Sequence, residues 1–407
     1  MYFGKVLHAL IKTAVPKQRE ILSERGADNV ARLKTVLGIT KLKALNLGLS
    51  IVFSCEKINK QPMFWLCLEN FMTSNMIIVY VFYACMLLLT VWAIAQAWKS
   101  QANTETIHPF KAFVHLLAYY LSYLLIPLCC FSLIAAYIDY YAWHEAIFIF
   151  LVSGLMIYAR FIEPHFIHVK HLKYQMNATK PLAKPVKIAL IADLHIGLFS
   201  GREKQLKLIV KKLNEQQPDL VVVAGDWTYE PENKLVSELA ILKEIQAPVY
   251  SVNGNHDEQY PGPPIQALLK QALAENDVMD IEGQVVEFDD FRLIGVGDLW
   301  AGKADMRFMP ELPQDKPWVI LSHNPDTVDM VPKLPQRPLM LSGHTHGGQV
   351  ELPFLTDYVM KKVSILGHKK GLYRHEHADV FVTVGTGMVG VPFRFRVPPT
   401  IDIIELT

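Results

Sequence analysis

Little in this chain points toward a disulfide scaffold or toward nucleic acid. The only cysteines are Cys55, Cys67, Cys85, Cys129 and Cys130. Their spacing fits neither a zinc-ligand pattern nor the dense framework of a small secreted domain, so they read as apolar filler and leave the redox compartment open. Net charge is only +1, and no basic stretch is interleaved with aromatics, so no nucleic-acid partner is expected. No apolar core with a small-residue cleavage site follows the first charges, so no signal peptide is expected. Hydrophobic residues, by contrast, make up 51% of the chain, above the globular norm. The excess lies between about Met63 and Tyr158. A length of 407 residues suggests two or three domains, here a membrane part and a soluble part.

Residues 1–62 form a basic N-terminal region, with eleven Lys/Arg against four Asp/Glu in the first 60. Val6, Leu7, Leu10, Ile11 and Val15 have helical spacing. A basic amphipathic helix on anionic lipid is one reading, an ordinary solvated helix the other. Residues 63–172 read as a membrane region with about three spans, 76–98, 112–138 and 142–159. Met76 to Trp98 has no charge across 23 residues, enough to cross a bilayer. Ala112 to Ile138 is uncharged too, with Pro127 tolerable in a membrane helix and His115 near one end. Ala146 to Ala159 is shorter and spans only if residues 141–145 enter the interface; otherwise it lies flat or re-enters. Ala44 to Cys55 is apolar but too short. Arg160 to Lys187 carries six Lys/Arg and one Glu, which favours the cytoplasm. The basic first 60 residues favour the same side, and so an even number of spans. Residues 173–186, with Pro181 and Pro185, read as a linker. Asn177-Ala178-Thr179 fits a glycosylation acceptor, a triplet common by chance.

From residue 187 onward five apolar runs each end in metal-ligand chemistry. Val186 to Ala192 ends in Asp193-Leu194-His195. Leu220 to Ala224 ends in Gly225-Asp226, and Val249 to Val252 in Asn253-Gly254-Asn255-His256-Asp257. Trp318 to Leu321 ends in Ser322-His323, and Leu339 to Leu341 in Ser342-Gly343-His344-Thr345-His346-Gly347-Gly348. Short apolar runs bounded by turn residues are buried strands, and the loops beyond strand ends carry sites. Asp193 and His195, two apart, leave their strand on one side. Between the first two runs, Leu206, Ile209, Val210 and Leu213 share a helical face.

The motifs D-x-H, G-D, G-N-H-D, an isolated His and G-H-T-H-G-G-Q, in this order, resemble the calcineurin-like metallophosphoesterase superfamily from about Lys187 to the C-terminus. With the preceding membrane region they are similar to its bacterial membrane-associated branch, which includes enzymes of the lipid A pathway that cleave UDP-2,3-diacylglucosamine. The resemblance implies an α/β fold, a four-layer αββα sandwich after an α-helical membrane region. It also implies two divalent metal ions, most simply manganese, with iron or zinc compatible with the ligand set. Asp193, His195 and His346 would hold the first ion, Asn255, His323 and His344 the second, and Asp226 would bridge. A neutral Asn255 limits the negative charge that an anionic substrate meets. His256 is left to assist the leaving oxygen, with Asp257 orienting it. Many family members carry an Asp three residues after the bridging one; here Tyr229 stands there, which puts second-shell tuning in doubt.

Weaker candidates complete the reading. Residues 385–397 combine glycines, apolar side chains, Arg394 and Arg396. As a loop this stretch could bind a lipid and a phosphate; as a strand it would be a sheet edge. His368, His375 and His377 read as a solvated basic loop, and His165, His168 and His171 as interfacial. The expected function is a membrane-anchored binuclear phosphoesterase acting on a lipid-linked substrate in the bacterial inner membrane, its catalytic domain cytoplasmic. The alternatives are a phosphodiesterase or phosphatase for soluble substrates, and a membrane transporter or sensor with a regulatory domain. The spans lack the buried charges of an ion pathway.

Overall fold

A computed structural model of the chain describes residues 61–104, 106–176, 182–199, 203–232, 234–258 and 265–407, and only the backbone of 61–74. The basic N-terminal region, the apolar stretch 44–55 and the glycosylation triplet therefore lie outside the described residues. Residues 81–407 form one compact unit.

Absence of charge over long apolar stretches makes the first helices. Helix α1 (Gln61–Gln101) is followed by α2 (Pro109–Leu121), which begins on proline at its first turn, where the missing N–H costs nothing. A 3-10 turn at Ser122–Leu124 passes almost directly into α3 (Leu125–Tyr137). Then α4 (Trp143–Ile157) continues through a π-turn, Tyr158–Ile162, to His165. Three stretches are long and apolar enough to cross a membrane: Asn75–Gln101, Pro109–Tyr137 and Trp143–His165. The last is longer than its uncharged core because Arg160 and Glu163 are buried rather than terminal. The Arg160 guanidinium lies 4.1 Å from the Tyr119 ring centre, and its Nε donates to Ser122. A buried ion with aromatic and hydroxyl partners can extend a helix that a bare charge would end.

Two sheets follow. The first has the order β1 (His168–Tyr174), β14 (Thr400–Leu406), β2 (Val186–Ile191), β4 (Leu220–Ala224), β6 (Val249–Val252) and β7 (Val278–Asp280). The second runs β12 (Gly371–Arg374), β13 (Asp379–Val382), β11 (Leu339–Ser342), β10 (Trp318–Ser322), β9 (Arg292–Val296) and β8 (Val285–Glu287). A two-stranded ribbon pairs β3 (Ile196–Gly197) with β5 (Thr228–Tyr229). Strands β2, β4 and β6 run parallel, as do β9, β10, β11 and β13. Strands buried on both faces read as continuous apolar runs, and their inner faces meet. Ile188, Leu190 and Val222 pack against Leu293, Val319, Leu321 and Leu341 to form the central core. The outer face of the first sheet is covered by α5 (Glu203–Gln216), α6 (Leu235–Glu238) and α7 (Gln266–Glu275). That of the second is covered by the 3-10 turns Met309–Glu311 and Pro325–Met330. The result is a helix–sheet–sheet–helix sandwich in which one outer layer is short 3-10 turns. A last helix, α8 (Leu355–Val363), leaves the loop after β11.

The catalytic sheet starts earlier than residue 187. His168–Tyr174 pairs in register with Thr400–Leu406 at the sheet edge, so His168 and His171 stand on a strand. Its mixed polar sequence hides the strand, because only one face is covered.

Candidate metal centre

The five ligand-bearing loops leave the C-terminal ends of β2, β4, β6, β10 and β11. Parallel pairing brings those ends together within each sheet, and face-to-face packing brings the two sets into one place. Two glycines allow the approach. A Cβ on Gly343 would lie 2.6 Å from Ala192 Cβ and 2.8 Å from Asp193 Oδ2. Gly225 has a φ of +78°, and a Cβ there would meet Gly254 N at 2.6 Å.

Seven side chains then converge. His195 Nε2 and His346 Nε2 are 2.9 Å apart, and His346 Nε2 is 3.7 Å from Asp193 Oδ1. On the other side His323 Nε2 lies 3.0 Å from His344 Nδ1 and 3.1 Å from Asn255 Oδ1, which is 3.0 Å from His344 Nδ1. Asp226 joins the groups: its Oδ2 is 3.4 Å from His195 Nε2 and 3.4 Å from His323 Nε2. Apart from the short range of exposure left to His346 and His344, all seven are essentially sealed from solvent.

Burial governs the charge of this cluster. It drives the proton off His195 and His344, both lowered to about 3, and holds His346 well below the usual imidazole range. All three rings are therefore uncharged at neutral pH, as ligation requires. Burial also opposes a proton on His323, but the Asp226 carboxylate outweighs it and holds this ring up at about 10. For Asp226 burial raises proton affinity, yet His323 and His256 keep it well below the usual carboxylate range. Asp193 is pushed up by burial, to about 7.

The donor set fits a pair of divalent ions. Ligand atoms each about 2.1 Å from one ion are roughly 3 Å from one another, close to the separations found within each half of the cluster. Asp193 Oδ2 is buried with no hydrogen-bond partner among the described residues, a cost that a cation removes. Asp193, His195 and His346 form one compact ligand group, and Asp193, Asp226 and His323 another. Asn255 and His344 complete the second side.

Three expectations need correction. Asp257 does not orient His256. One carboxylate oxygen accepts from the N–H groups of Trp227 and Gly254, the other from the Thr228 N–H and hydroxyl, all at 3.0 Å. Fully buried, it clamps the loop after β4 to the loop after β6 and so holds Asp226 against Asn255. Asp257→Ala is expected to weaken metal affinity by about 10–100-fold, the usual cost of an outer-shell partner, in a competition titration with a chelator. Arg394 is not a substrate residue. Its side chain is completely buried and donates to the carbonyls of Gly387, Val397 and Val384. The stretch 385–397 is loop, with a single bridge from Phe395 to Val350, and Arg394 braces it from inside. Arg396 is exposed at a φ of +62°. His368 is not solvated either. It is buried, with Nδ1 2.9 Å from Asp326 Oδ1 and Nε2 2.7 Å from His375 Nε2.

His256 stands where the chemistry needs it. Its backbone N–H donates to Asp226 Oδ1 at 3.0 Å. Its ring meets His195 edge-on at 5.1 Å and Tyr229 edge-on at 5.2 Å between centres. Tyr229 fills the space of the absent carboxylate, and its hydroxyl reaches His115 Nδ1 on α2 at 2.9 Å. The loop after β9 adds a further wall, with Trp300 edge-on to His344 at 4.4 Å and a buried Asp298 behind it. Sequence offered a signal for that wall: β9 also ends in Gly297-Asp298.

Residues 186–368 match the family model described as calcineurin-like phosphoesterase. This is a calcineurin-like phosphoesterase domain. Relatives that share it are named metallophosphoesterases or phosphodiesterases. Among curated relatives, phosphodiesterase YaeI of Escherichia coli K12 is 28% identical over 260 residues, 61% of this chain and 92% of that one. A transmembrane protein with metallophosphoesterase domain from Danio rerio is 31% identical over 230 residues, 51% of this chain and 50% of its own. A metallophosphoesterase of Helicobacter pylori J99 is 29% identical, and the match spans 55% of this chain and 60% of that relative. The phosphoesterase domain is thus the shared part, and three apolar helices precede it here.

Proposed function

We propose that the protein is a membrane-anchored phosphodiesterase that hydrolyses a phosphoester or pyrophosphate bond of a lipid-linked substrate at the bilayer surface. The observation that carries this reading is the joint between α2 and the metal centre. Tyr229 lies against His195 and His256 and hydrogen-bonds His115 of an apolar helix. Around it Leu116 and Tyr119 of α2 pack with Leu198, Phe199 and Met388 of the phosphoesterase domain. A site walled by an apolar helix suits a substrate that stays in the membrane; a soluble ester gains nothing from that wall.

Bound divalent ions supply Lewis acidity to a phosphoryl oxygen and a nucleophilic water at neutral pH; manganese is our choice, with iron or zinc alternatives. Asp193, His195 and His346 would hold one ion and Asn255, His323 and His344 the other, with Asp226 shared. The His256 imidazole, anchored through its backbone to Asp226, donates a proton to the departing oxygen. His256→Gln is expected to lower kcat about a hundred-fold, within the range for one general acid, while the protein still binds two metal equivalents. Loss of metal along with activity would make His256 a ligand instead. The six Lys/Arg against one Glu between Arg160 and Lys187 favour a cytoplasmic domain on the bacterial inner membrane.

UDP-2,3-diacylglucosamine is the most specific candidate substrate. The test is manganese-dependent release of UMP from it in detergent, beside an artificial soluble phosphodiester, with Asp226→Ala as blank. UMP release that the blank lacks supports the reading. Turnover of the soluble ester alone retains the chemistry and removes the lipid substrate.

A further inference from the structure

The segment Leu352–Leu366 departs from the rest of the phosphoesterase domain in what it shows to solvent. Phe354 is 89% exposed and Ile365 90%. Leu352, Leu355, Tyr358, Val359 and Leu366 are exposed as well. Single exposed apolar residues are ordinary, but seven within fifteen positions form a patch that marks an interaction surface. Phe354 holds a φ of +64°, a conformation costly for an aromatic residue, and in it begins α8. The inner face of that helix is fixed. Thr356 and Met360 are buried, the Thr356 hydroxyl donates to Val350 O, and both side chains lie against Gly348. Gly348 closes the loop that carries His344 and His346, so the patch lies on the outer side of a helix packed against that loop.

We propose that Leu352–Leu366 docks on the lipid bilayer, with its apolar side chains in the interface and Lys361 and Lys362 on anionic headgroups. Three observations choose this occupant. The first is continuity with the last candidate span. Glu351 N donates to Phe395 O, the adjacent Arg394 N donates to Ala159 O, and Val397 N donates to Glu163 Oε1. Two backbone contacts thus separate the start of the segment from the end of Trp143–His165, where a spanning helix meets the headgroups. The second is charge. Lys361 and Lys362 are exposed in the last turn of α8, whereas Lys369 and Lys370 are engaged by Glu351. The third is pattern: a buried inner stripe of Thr356 and Met360, an outer face apolar but for Asp357, which pairs with Lys369, and basic residues at the end suit an interfacial helix. The proposal rests on the reading that the protein sits in a membrane, but not on its substrate.

The test uses the full chain reconstituted in vesicles of phosphatidylcholine with phosphatidylglycerol. A photoreactive residue is placed at 354, 365, 87 or 289. Leu87 lies on the exposed face of α1, and Asp289 in the β8–β9 hairpin at the opposite edge of the second sheet. Lipid adducts at 354 and 365 are expected on the order of tenfold above position 289, near the yield at 87. Adducts at 87 but only background at 354 and 365 would overturn the proposal, as would adducts to a second protein chain there. Failure at 87 itself would instead refute the membrane reading. K361E with K362E should reduce labelling at 354 several-fold on anionic vesicles and leave it unchanged on neutral ones, since basic side chains at a membrane surface are held by anionic headgroups. No change on either removes the headgroup contact.

Discussion

Asp226→Ala is expected to reduce kcat/KM by roughly a thousand-fold or more, because the several kcal/mol that a metal pair supplies to the transition state depend on this carboxylate. The geometry leaves no substitute. One oxygen stands 3.4 Å from an imidazole nitrogen on each side of the centre, and the other accepts the His256 N–H. Alanine removes the shared ligand, the anchor of His256 and the negative charge that offsets two divalent ions. Elemental analysis after gel filtration should fall from two metal equivalents to one or fewer. Asp226→Asn, which keeps the shape and one acceptor, should retain more metal than alanine yet remain deeply impaired. A variant that held both ions and merely slowed would show that Asp226 is not the bridge.

Arg394→Ala should destabilise the domain by about 3–5 kcal/mol, the usual cost of emptying a buried charged position whose partners cannot be satisfied elsewhere. Three carbonyls, of Val384, Gly387 and Val397, lose their donor in a place water does not reach. For a domain of this size that lowers Tm by about 10 °C. Arg396→Ala, two positions on and exposed, should stay within about 0.5 kcal/mol of the parent. Thermal unfolding of the pair of variants is the check. A substrate role for Arg394 would give the opposite pattern, an unchanged Tm with a raised KM.

The contrast between these arginines shows what was legible in the chain and what was not. The converging side chains were readable because each is a rare residue type at the end of an apolar run, and a run's end is a local property. The helices before the domain were readable for the same reason, since absence of charge over Ala112 to Ile138 is visible without any partner. What stayed hidden depends on contacts across the fold. Asp257 looks like an imidazole's partner by adjacency, yet its own loop turns it toward Trp227 and Thr228, thirty and twenty-nine residues back. Arg394 alternates with phenylalanines as a surface strand would, and only the closure of its loop over it reveals a buried brace. Tyr229 reads as a gap in a motif until α2, 114 residues upstream, brings His115 to its hydroxyl. Strand β1 was missed because its partner, β14, is the last segment of the chain.

Five of the seven candidate ligand residues hold the backbone in left-handed conformation: Asp193, His195, Asp226, His344 and His346 have φ between 48° and 71°. For residues other than glycine each such position costs on the order of 1 kcal/mol. The folding of the domain and the working of its centre therefore pull in opposite directions at the same residues. Glycine at His195 or His346 would relax the chain while destroying the site, so variants selected only for expression or heat resistance should drift toward well-folded, inert proteins. Selection that includes turnover is what keeps these residues in place, and an engineer who wants a sturdier enzyme should look for stability anywhere but at these five positions.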